Sequence, residues 1–383
     1  MNLEILHIIL DVALVSAGCY AILILLITIG LYNLPEKYTH SVANKRKVSV
    51  LVAARNEMEN IEKFLQSIYN QYYPKEFFEL VIVDDKSDDS TYEKVKEFSD
   101  NHKDLNIKLL RGVGDGKKAA ISQALHNAEN ELILATDADC VLKPRWIESF
   151  VSFFEEDADV CEKKMILGPV VLDSKGGFFE KIQSLEHISL IASTAGAAAV
   201  RMPIMCNGAN MCYFRSDALE AETTRTDMNI ASGDDVFLME SFVKKYGGKS
   251  VCFLMNDDAV VETRCMHSLS DFFRQRRRWV SKTKNYTDFK IISTALIVLS
   301  FGLVQFFFAV AGFFYPLFWI FFTLFTILKV LIDIPILHRM TTFLHRKKLL
   351  WWVFPTEIIY PFYVVFTAFG GLFSKVAWKK RGV

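Results

Sequence analysis

Apolar residues crowd the two ends of this chain and leave its middle with ordinary soluble composition. That asymmetry restricts the possible folds more than any motif does. Residues 8–31, IILDVALVSAGCYAILILLITIGL, carry a single charge, Asp11, near the outer end. Residues 289–336 are almost wholly apolar and too long for one crossing, since about twenty residues span a bilayer. They predict a helical hairpin that turns near residues 312–316, between Gly312 and Pro316. A further apolar stretch, residues 349–373, is interrupted by Pro355 and Pro361. With 51% hydrophobic residues and 32 phenylalanines concentrated in this way, the chain reads as a soluble domain held between membrane segments.

The N-terminal stretch has no basic segment before it and no small-residue cleavage site after a short apolar core, so it is expected to stay as an anchor. Lys45, Arg46 and Lys47 follow it, and Arg274, Arg276, Arg277 and Arg278 precede the hairpin. Positive charge favours the cytoplasmic side of membrane segments, which places the middle domain in the cytoplasm. The loop HRMTTFLHRKK then falls inside too, as a hairpin requires. The tail KKRGV falls outside if residues 349–373 cross once. Either that stretch re-enters, bending at its prolines, or the tail breaks the rule. A formal net charge of zero implies no general affinity for nucleic acid. The seven cysteines are scattered without metal-ligand spacing, as a reducing cytoplasm allows.

From Val48 onward short β-branched runs alternate with helical periodicity. VSVLVAA, FELVIVDD, NIKLL and ELILATDAD read as strands; ENIEKFLQSIYNQ, STYEKVKEFSD and KKAAISQALHNA read as helices. This order predicts a mostly parallel sheet covered by helices on both faces, with ligands bound beyond the carboxyl ends of the strands. Three strand ends carry polar groups that would converge there: Arg55-Asn56-Glu57, Asp84-Asp85 and Asp137-Ala138-Asp139. After Val141 the pattern is less regular. Residues 184–200, SLEHISLIASTAGAAAV, form either an amphipathic helix on the membrane surface or a core helix.

Asp137 and Asp139 end a buried-strand pattern, and acids removed from water need a cation or donors. Their hard oxygens suit Mg2+ or Mn2+ completed by water and phosphate; the plainer reading is an Asp turn or a cap for a helix near Pro144. Asp84 and Asp85 either accept hydrogen bonds from a nucleoside or belong to a loop capped at Asp88 or Ser90. Lys118, at a helix start, either reaches phosphate with the helix amides or is a solvated lysine. Asp234 and Asp235 either cap the next helix or supply a general base to an acceptor hydroxyl. The run DFFRQRRRWVSK is either a topology signal facing lipid headgroups, or it presents Gln275, Arg278 and Trp279 to a pyrophosphate and a sugar ring.

The ordered series VLVAARNE, VIVDDKSDD, GDGKKAAISQAL, ATDAD, CNGANMCYFRSDAL, SGDDVFL and QRRRW, spanning residues 48–279, resembles the membrane-bound family 2 glycosyltransferases. The resemblance implies an α/β GT-A fold, Rossmann-like with a mostly parallel sheet, as a cytoplasmic domain with N- and C-terminal transmembrane helices. It also implies a nucleotide-sugar donor, often a UDP-sugar, with Mg2+ or Mn2+. Carried over residue by residue, the segment around Ala53, Arg55 and Glu57 and the acid at Asp85 would hold the nucleoside. Asp137 would lie by the ribose or metal, and Asp139 would ligate the metal. Asn207, Gly208 and Asn210 would lie near the acceptor, and Asp235 would be the base. Its neighbour Asp234 departs from a motif that commonly reads Glu-Asp. Gln275, Arg278 and Trp279 would contact the diphosphate and acceptor sugar. The expected organisation is an anchor at 1–34, a GT-A domain with interfacial helices at 45–286 and a membrane region of about three segments at 287–383, in a bacterial inner membrane. The few spans favour a lipid or lipid-linked acceptor. A processive polysaccharide synthase, forming its pore with a membrane partner or as an oligomer, is the alternative, and a membrane-bound nucleotidyltransferase is a more distant one.

Overall fold

A computed structural model of the chain describes residues 3–36, 45–155, 163–174, 176–224, 234–373, 377–378 and 381–382. Helix α1 (Leu3–Asn33) is followed by β1 (Val48–Ala54), α2 (Ile61–Tyr69), β2 (Phe78–Asp84), α3 (Thr91–Asn101), β3 (Asn106–Arg111), α4 (Gly116–Asn127) and β4 (Leu132–Asp137). The less regular stretch forms β5 (Val141–Leu142), α5 (Trp146–Glu155), β6 (Met165–Leu167), β7 (Val170–Asp173), α6 (Phe178–Ala199), β8 (Asn210–Phe214) and α7 (Arg215–Thr224). Next come α8 (Asp234–Tyr246), β9 (Val251–Phe253), β10 (Val261–Arg264) and α9 (Leu269–Val280). Three long helices complete the order: α10 (Phe289–Ala311), α11 (Leu317–Phe343) and α12 (Val353–Phe373). The chain divides into two compact units, one of Leu34–Asp173 with Arg201–Cys265, the other of Met1–Asn33, Ser174–Val200 and Met266–Val383.

The first unit is α/β. Its sheet runs β3-β2-β1-β4-β8-β6-β9, parallel throughout except for β8, which opposes both β4 and β6. Every residue of β2 is buried, because a strand covered on both faces has no solvent side on which to place polar residues. Pairing sets Ala54 beside Asp84, Ala53 beside Asp137 and Thr136 beside Asn210. The ends of β1, β2 and β4 and the start of β8 therefore share one edge. A second sheet, β5-β10-β7, lies in the same unit.

Asn210, expected beside the acceptor, is instead a latch in the core. It is fully buried; Trp146 Nε1 donates to its Oδ1 at 2.9 Å, and its Nδ2 donates to the carbonyls of Pro169 and Ala259, both at 2.8 Å. Both ends of the amide are thus spent on the protein. Gly168 lies so close that a Cβ there would collide with the Asn210 amide.

Among the described residues the second unit contains four helical segments long and apolar enough to cross a membrane: Leu3–Asn33, Phe289–Ala311, Leu317–Phe343 and Lys347–Gly371. The hairpin turns between Ala311 and Leu317, as the sequence predicts. The last apolar stretch is one helix after a 3-10 turn, with Pro361 inside it. Pro355 sits in its first turn, where a missing N–H breaks no helical bond. Aromatic rings fill the bundle: Tyr20 stacks on Phe301 at 4.9 Å, and Phe308 meets Phe325 at 5.2 Å. A buried ion cluster ties three of the helices, with Lys329 Nζ 2.5 Å from Asp333 Oδ2 and 2.8 Å from Glu357 Oε2. Tyr20 OH donates to Asp333 Oδ1 at 2.8 Å.

Helix α6 packs on α1 and α11 and is buried along most of its length, which makes it a core helix of this unit. Gly30 and Gly196 let α1 and α6 meet backbone to backbone, since a Cβ at either would overlap the opposing carbonyl. Replacing Gly196 with valine is expected to cost on the order of 2 kcal/mol by overpacking, read as a lower unfolding midpoint of the full chain in detergent. Asn210→Ala strands the Trp146 N–H and the Ala259 carbonyl in the α/β core, while the Pro169 carbonyl keeps the Val261 amide at 3.0 Å. It is expected to lower that midpoint by roughly 5–10 °C, from about 1–3 kcal/mol per orphaned group.

Candidate active site

The site is assembled at the shared sheet edge of the α/β unit. Beyond β1 the chain turns through Asn56, whose φ of 52° is left-handed and suits asparagine's short polar side chain. Four bonds lace this turn to the loop after β2. Asp88 N donates to Asn56 Oδ1 (2.9 Å) and Asn56 N to Ser87 Oγ (3.0 Å). Glu57 N donates to Thr91 Oγ1 (2.8 Å) and Met58 N to Asp89 Oδ2 (3.1 Å). The cap at the start of α3 comes from Asp89, which accepts from Thr91 N at 3.0 Å, and not from Asp88 or Ser90. Burial raises the Asp89 carboxyl, but the Thr91 and Met58 donors outweigh it and the pKa is lowered.

The two acids at the end of β2 have different surroundings. Asp84 Oδ2 accepts Ser87 N at 3.3 Å and so shapes its own loop. Asp85, 1% exposed, faces Arg55, whose Nη1 lies 3.6 Å from Oδ2 and donates to the Asp85 carbonyl at 3.0 Å. Asp85 Oδ1 also takes the amide of Gly116 at 3.3 Å, at the first turn of α4. Gly116 has a φ of +89°, a conformation that glycine adopts without strain.

That same turn reaches β4. Lys117 forms an ion pair with Asp137, and Lys118 beside it is buried. Neighbouring residues on a helix point about 100° apart, and the sequence alone does not say which of the two lysines pairs with Asp137. Asp139 Oδ2 accepts Thr263 Oγ1 at 3.3 Å. Thr263 is on β10, whose pairing with β5 brings it there; the next residue, Arg264, lies 3.8 Å from Glu59. Thr263 carried no motif in the sequence, and only the strand pairing identifies it. Burial, followed by the charges of Asp139 and Asp137, pushes the Cys140 thiol up, leaving it un-ionised.

Asp235 opens α8. Its Oδ2 accepts Gly208 N at 3.1 Å and its Oδ1 accepts Val236 N at 3.0 Å. A Cβ on Gly208 would lie 3.4 Å from that of Asp235, at ordinary contact distance, so the loop passes directly beside this acid. Asn207 Oδ1 accepts Ala209 N at 3.1 Å and holds the same loop. The side chain of Asp234 and residues 225–233 lie outside the described residues. One group thus gathers Arg55, Asp84, Asp85, Lys117 and Asp137, and another gathers Asn207, Gly208 and Asp235. Gln275, Arg278 and Trp279 lie on α9, in the other unit.

Among the described residues no three metal-ligating side chains cluster. The donor set that fits a divalent cation is the pair Asp137 and Asp139, both carboxylates at a strand end. Mg2+ and similar ions are held in this way, by one or two carboxylates with the remaining oxygens from water and substrate phosphates.

Known proteins resemble this chain in sequence and fold. Residues 49–221 match the model of glycosyl transferase family 2. Over 105 residues the chain is 34% identical to glycosyltransferase AglE of Haloferax volcanii, covering 27% of this chain and 34% of that one. Over 236 residues it is 25% identical to a poly-beta-1,6-N-acetyl-D-glucosamine synthase of Staphylococcus epidermidis, covering 61% and 53%. The chain therefore spans about a third to a half of these relatives' length. A mannosyltransferase of Pyrobaculum calidifontis, solved with GDP-Man and Mn2+, superposes with a TM-score of 0.65 over 95% of this chain and 99% of its own, at 17% identity, which is a likeness of fold. The α/β core that carries these strand-end acids is a family 2 glycosyltransferase domain of GT-A-like fold.

Proposed function

We propose that the protein transfers a sugar, with inversion and with a divalent cation, from a nucleotide sugar to a lipid or lipid-linked acceptor at the cytoplasmic face of the membrane. The observation that carries this reading is the grouping of acids at one sheet edge: Asp85 and Asp137 about the first turn of α4, and Asp235 against Gly208. Arg55, Glu57 and Asp85, with Ala53 and Asp84 beside them, bind the nucleoside. Lys117 and the α4 amides draw the diphosphate, as positive charge and unpaired N–H groups at a helix start do. Asp137 and Asp139 hold the cation, which supplies charge neutralisation to the departing nucleoside diphosphate.

The chain's own part in the transfer is a proton and an orientation. Asp235 takes the proton from the acceptor hydroxyl as that oxygen attacks the anomeric carbon and the bond to the diphosphate breaks. The Gly208 amide fixes the direction of its carboxylate, and Asn207 shapes the loop beside it. For Gln275, Arg278 and Trp279 of α9 the resemblance implies the diphosphate and the acceptor sugar as partners, and Trp279 has an apolar face suited to a sugar ring.

The lipid acceptor draws support from the membrane unit, whose four helices close around aromatic rings and an ion cluster. A polysaccharide synthase is the second reading, favoured by the 25% identity to the staphylococcal poly-N-acetylglucosamine synthase. Lys45–Lys47 and the arginines of α9 support the cytoplasmic placement.

The full chain, supplied with UDP-glucose, UDP-N-acetylglucosamine or GDP-mannose, lipid extract and Mn2+ or Mg2+, is expected to release nucleoside diphosphate and shift the mass of a lipid. Polymer in place of modified lipid establishes the second reading, and pyrophosphate release overturns both. Asp235→Asn is expected to lower turnover by about 10²–10⁴-fold, the range of general-base catalysis, with nucleotide affinity nearly unchanged by calorimetry. Loss of nucleotide binding would remove Asp235 from that role. Asp139→Asn is expected to weaken the cation-dependent part of nucleotide binding at least about tenfold, as loss of a charged ligand does.

A further inference from the structure

Glu186 is an acid in the middle of a helix otherwise rich in small and apolar residues, and it is 8% exposed. Its carboxylate takes Arg276 of α9 with both oxygens, Nε on Oε1 at 3.0 Å and Nη2 on Oε2. Tyr363 of α12 donates its hydroxyl to the same Oε1 at 2.8 Å. Burial works against the Arg276 charge, but Glu186 more than offsets it and raises the guanidinium's pKa. Arg276, 4% exposed, then spends Nη1 on the side-chain oxygen of Gln275, and its guanidinium lies 4.2 Å from the ring of Trp279. One buried cation thus touches two of the three residues assigned to the diphosphate and acceptor sugar.

The rest of α9 is fixed to the same partners. Ahead of it, Gln183 of α6 exchanges two bonds with the backbone of Met266, both at 3.0 Å. Gly370 and Gly371 of α12 sit against it so closely that a Cβ on either would come within 2.7 Å of Arg277 or Val280. A buried carboxylate–guanidinium pair adds little net stability over an apolar contact, yet removal of one partner is costly. What it does supply is a fixed orientation, because the guanidinium fork fits a carboxylate in only a few ways.

We propose that Glu186, helped by Tyr363, is a positioning residue that acts through Arg276 to hold Gln275 and Trp279 in their working orientation. This rests on the reading that Gln275, Arg278 and Trp279 meet the diphosphate and acceptor. The side chain of Glu186 touches no substrate; its effect is on the rate of the step that the α9 residues serve.

The test uses the full chain in detergent and the nucleotide sugar turned over fastest in the three-donor panel. Glu186→Gln is expected to lower kcat about 100-fold, the scale of an ångström's misplacement, with donor KM within about twofold of the parent. Arg276→Gln is expected to match it, and the double variant to be no worse than either single one, because all three remove the same pair. Hydrogen exchange in residues 269–280 should quicken while that of β1, β2 and β4 stays unchanged. Parental kcat in Glu186→Gln, or losses that multiply in the double variant, overturns the proposal. If Glu186→Gln does not fold, Tyr363→Phe decides, with about a 3–10-fold loss of kcat expected and parental kcat overturning it. Parental turnover in Gln275→Ala and Trp279→Ala is a separate result: it removes the α9 reading, and this inference with it.

Discussion

A carboxylate withdrawn from water is tolerated only where a cation or several donors meet it, and that constraint organises both units of this protein. In the α/β unit Asp85 is met by Arg55 and the first amide of α4, Asp137 by Lys117, Asp139 by Thr263 and Asp235 by Gly208. In the membrane unit Asp333 and Glu357 share Lys329, and Glu186 takes Arg276. The two sets differ in kind. Asp137 and Asp139 are only partly buried, so a ligand can still compete for them, whereas Glu186 and Asp333 are enclosed by their own partners.

The sheet explains why the first set stands at one edge. Parallel strands that start together also end together, and β1, β2 and β4 pair in register up to Ala54, Asp84 and Asp137. The helices that follow begin on the same side, which aims their first amides at the place where the acids stand, Gly116 N on Asp85 and Thr91 N on Asp89. At the other end of β2, Glu79 is enclosed by Lys108, Ser49 and the Glu129 amide, so the acid there serves the fold. The same strand thus carries a structural carboxylate at its start and, at its finish, the two acids proposed to meet the nucleoside.

In the membrane unit, lipid supplies no hydrophobic drive between helices, so close packing and polar contacts hold them together. Gly30 against Gly196, Gly370 and Gly371 against α9, and the Lys329 cluster are the devices used. They give the last apolar segment a packing role: α12 contributes Tyr363 and two glycines to the seat of α9.

Much of the fold was legible from local pattern. Alternating periodicities announced β1 to β4 with their helices, long apolar runs announced the membrane helices, and Asp85, Asp137, Asp139 and Asp235 stood at the strand and helix ends where chemistry was expected. These are short-range properties, set by the periods of a strand and a helix and by the length of a bilayer crossing. Other features required the chain to close on itself. Nothing local distinguishes Lys117 from Lys118, marks Thr263 as a neighbour of Asp139, turns Asn210 into the core or joins Glu186 to Arg276, ninety residues away. Each depends on which distant element arrives alongside, and a side chain's environment is a property of that meeting, not of its neighbours in sequence.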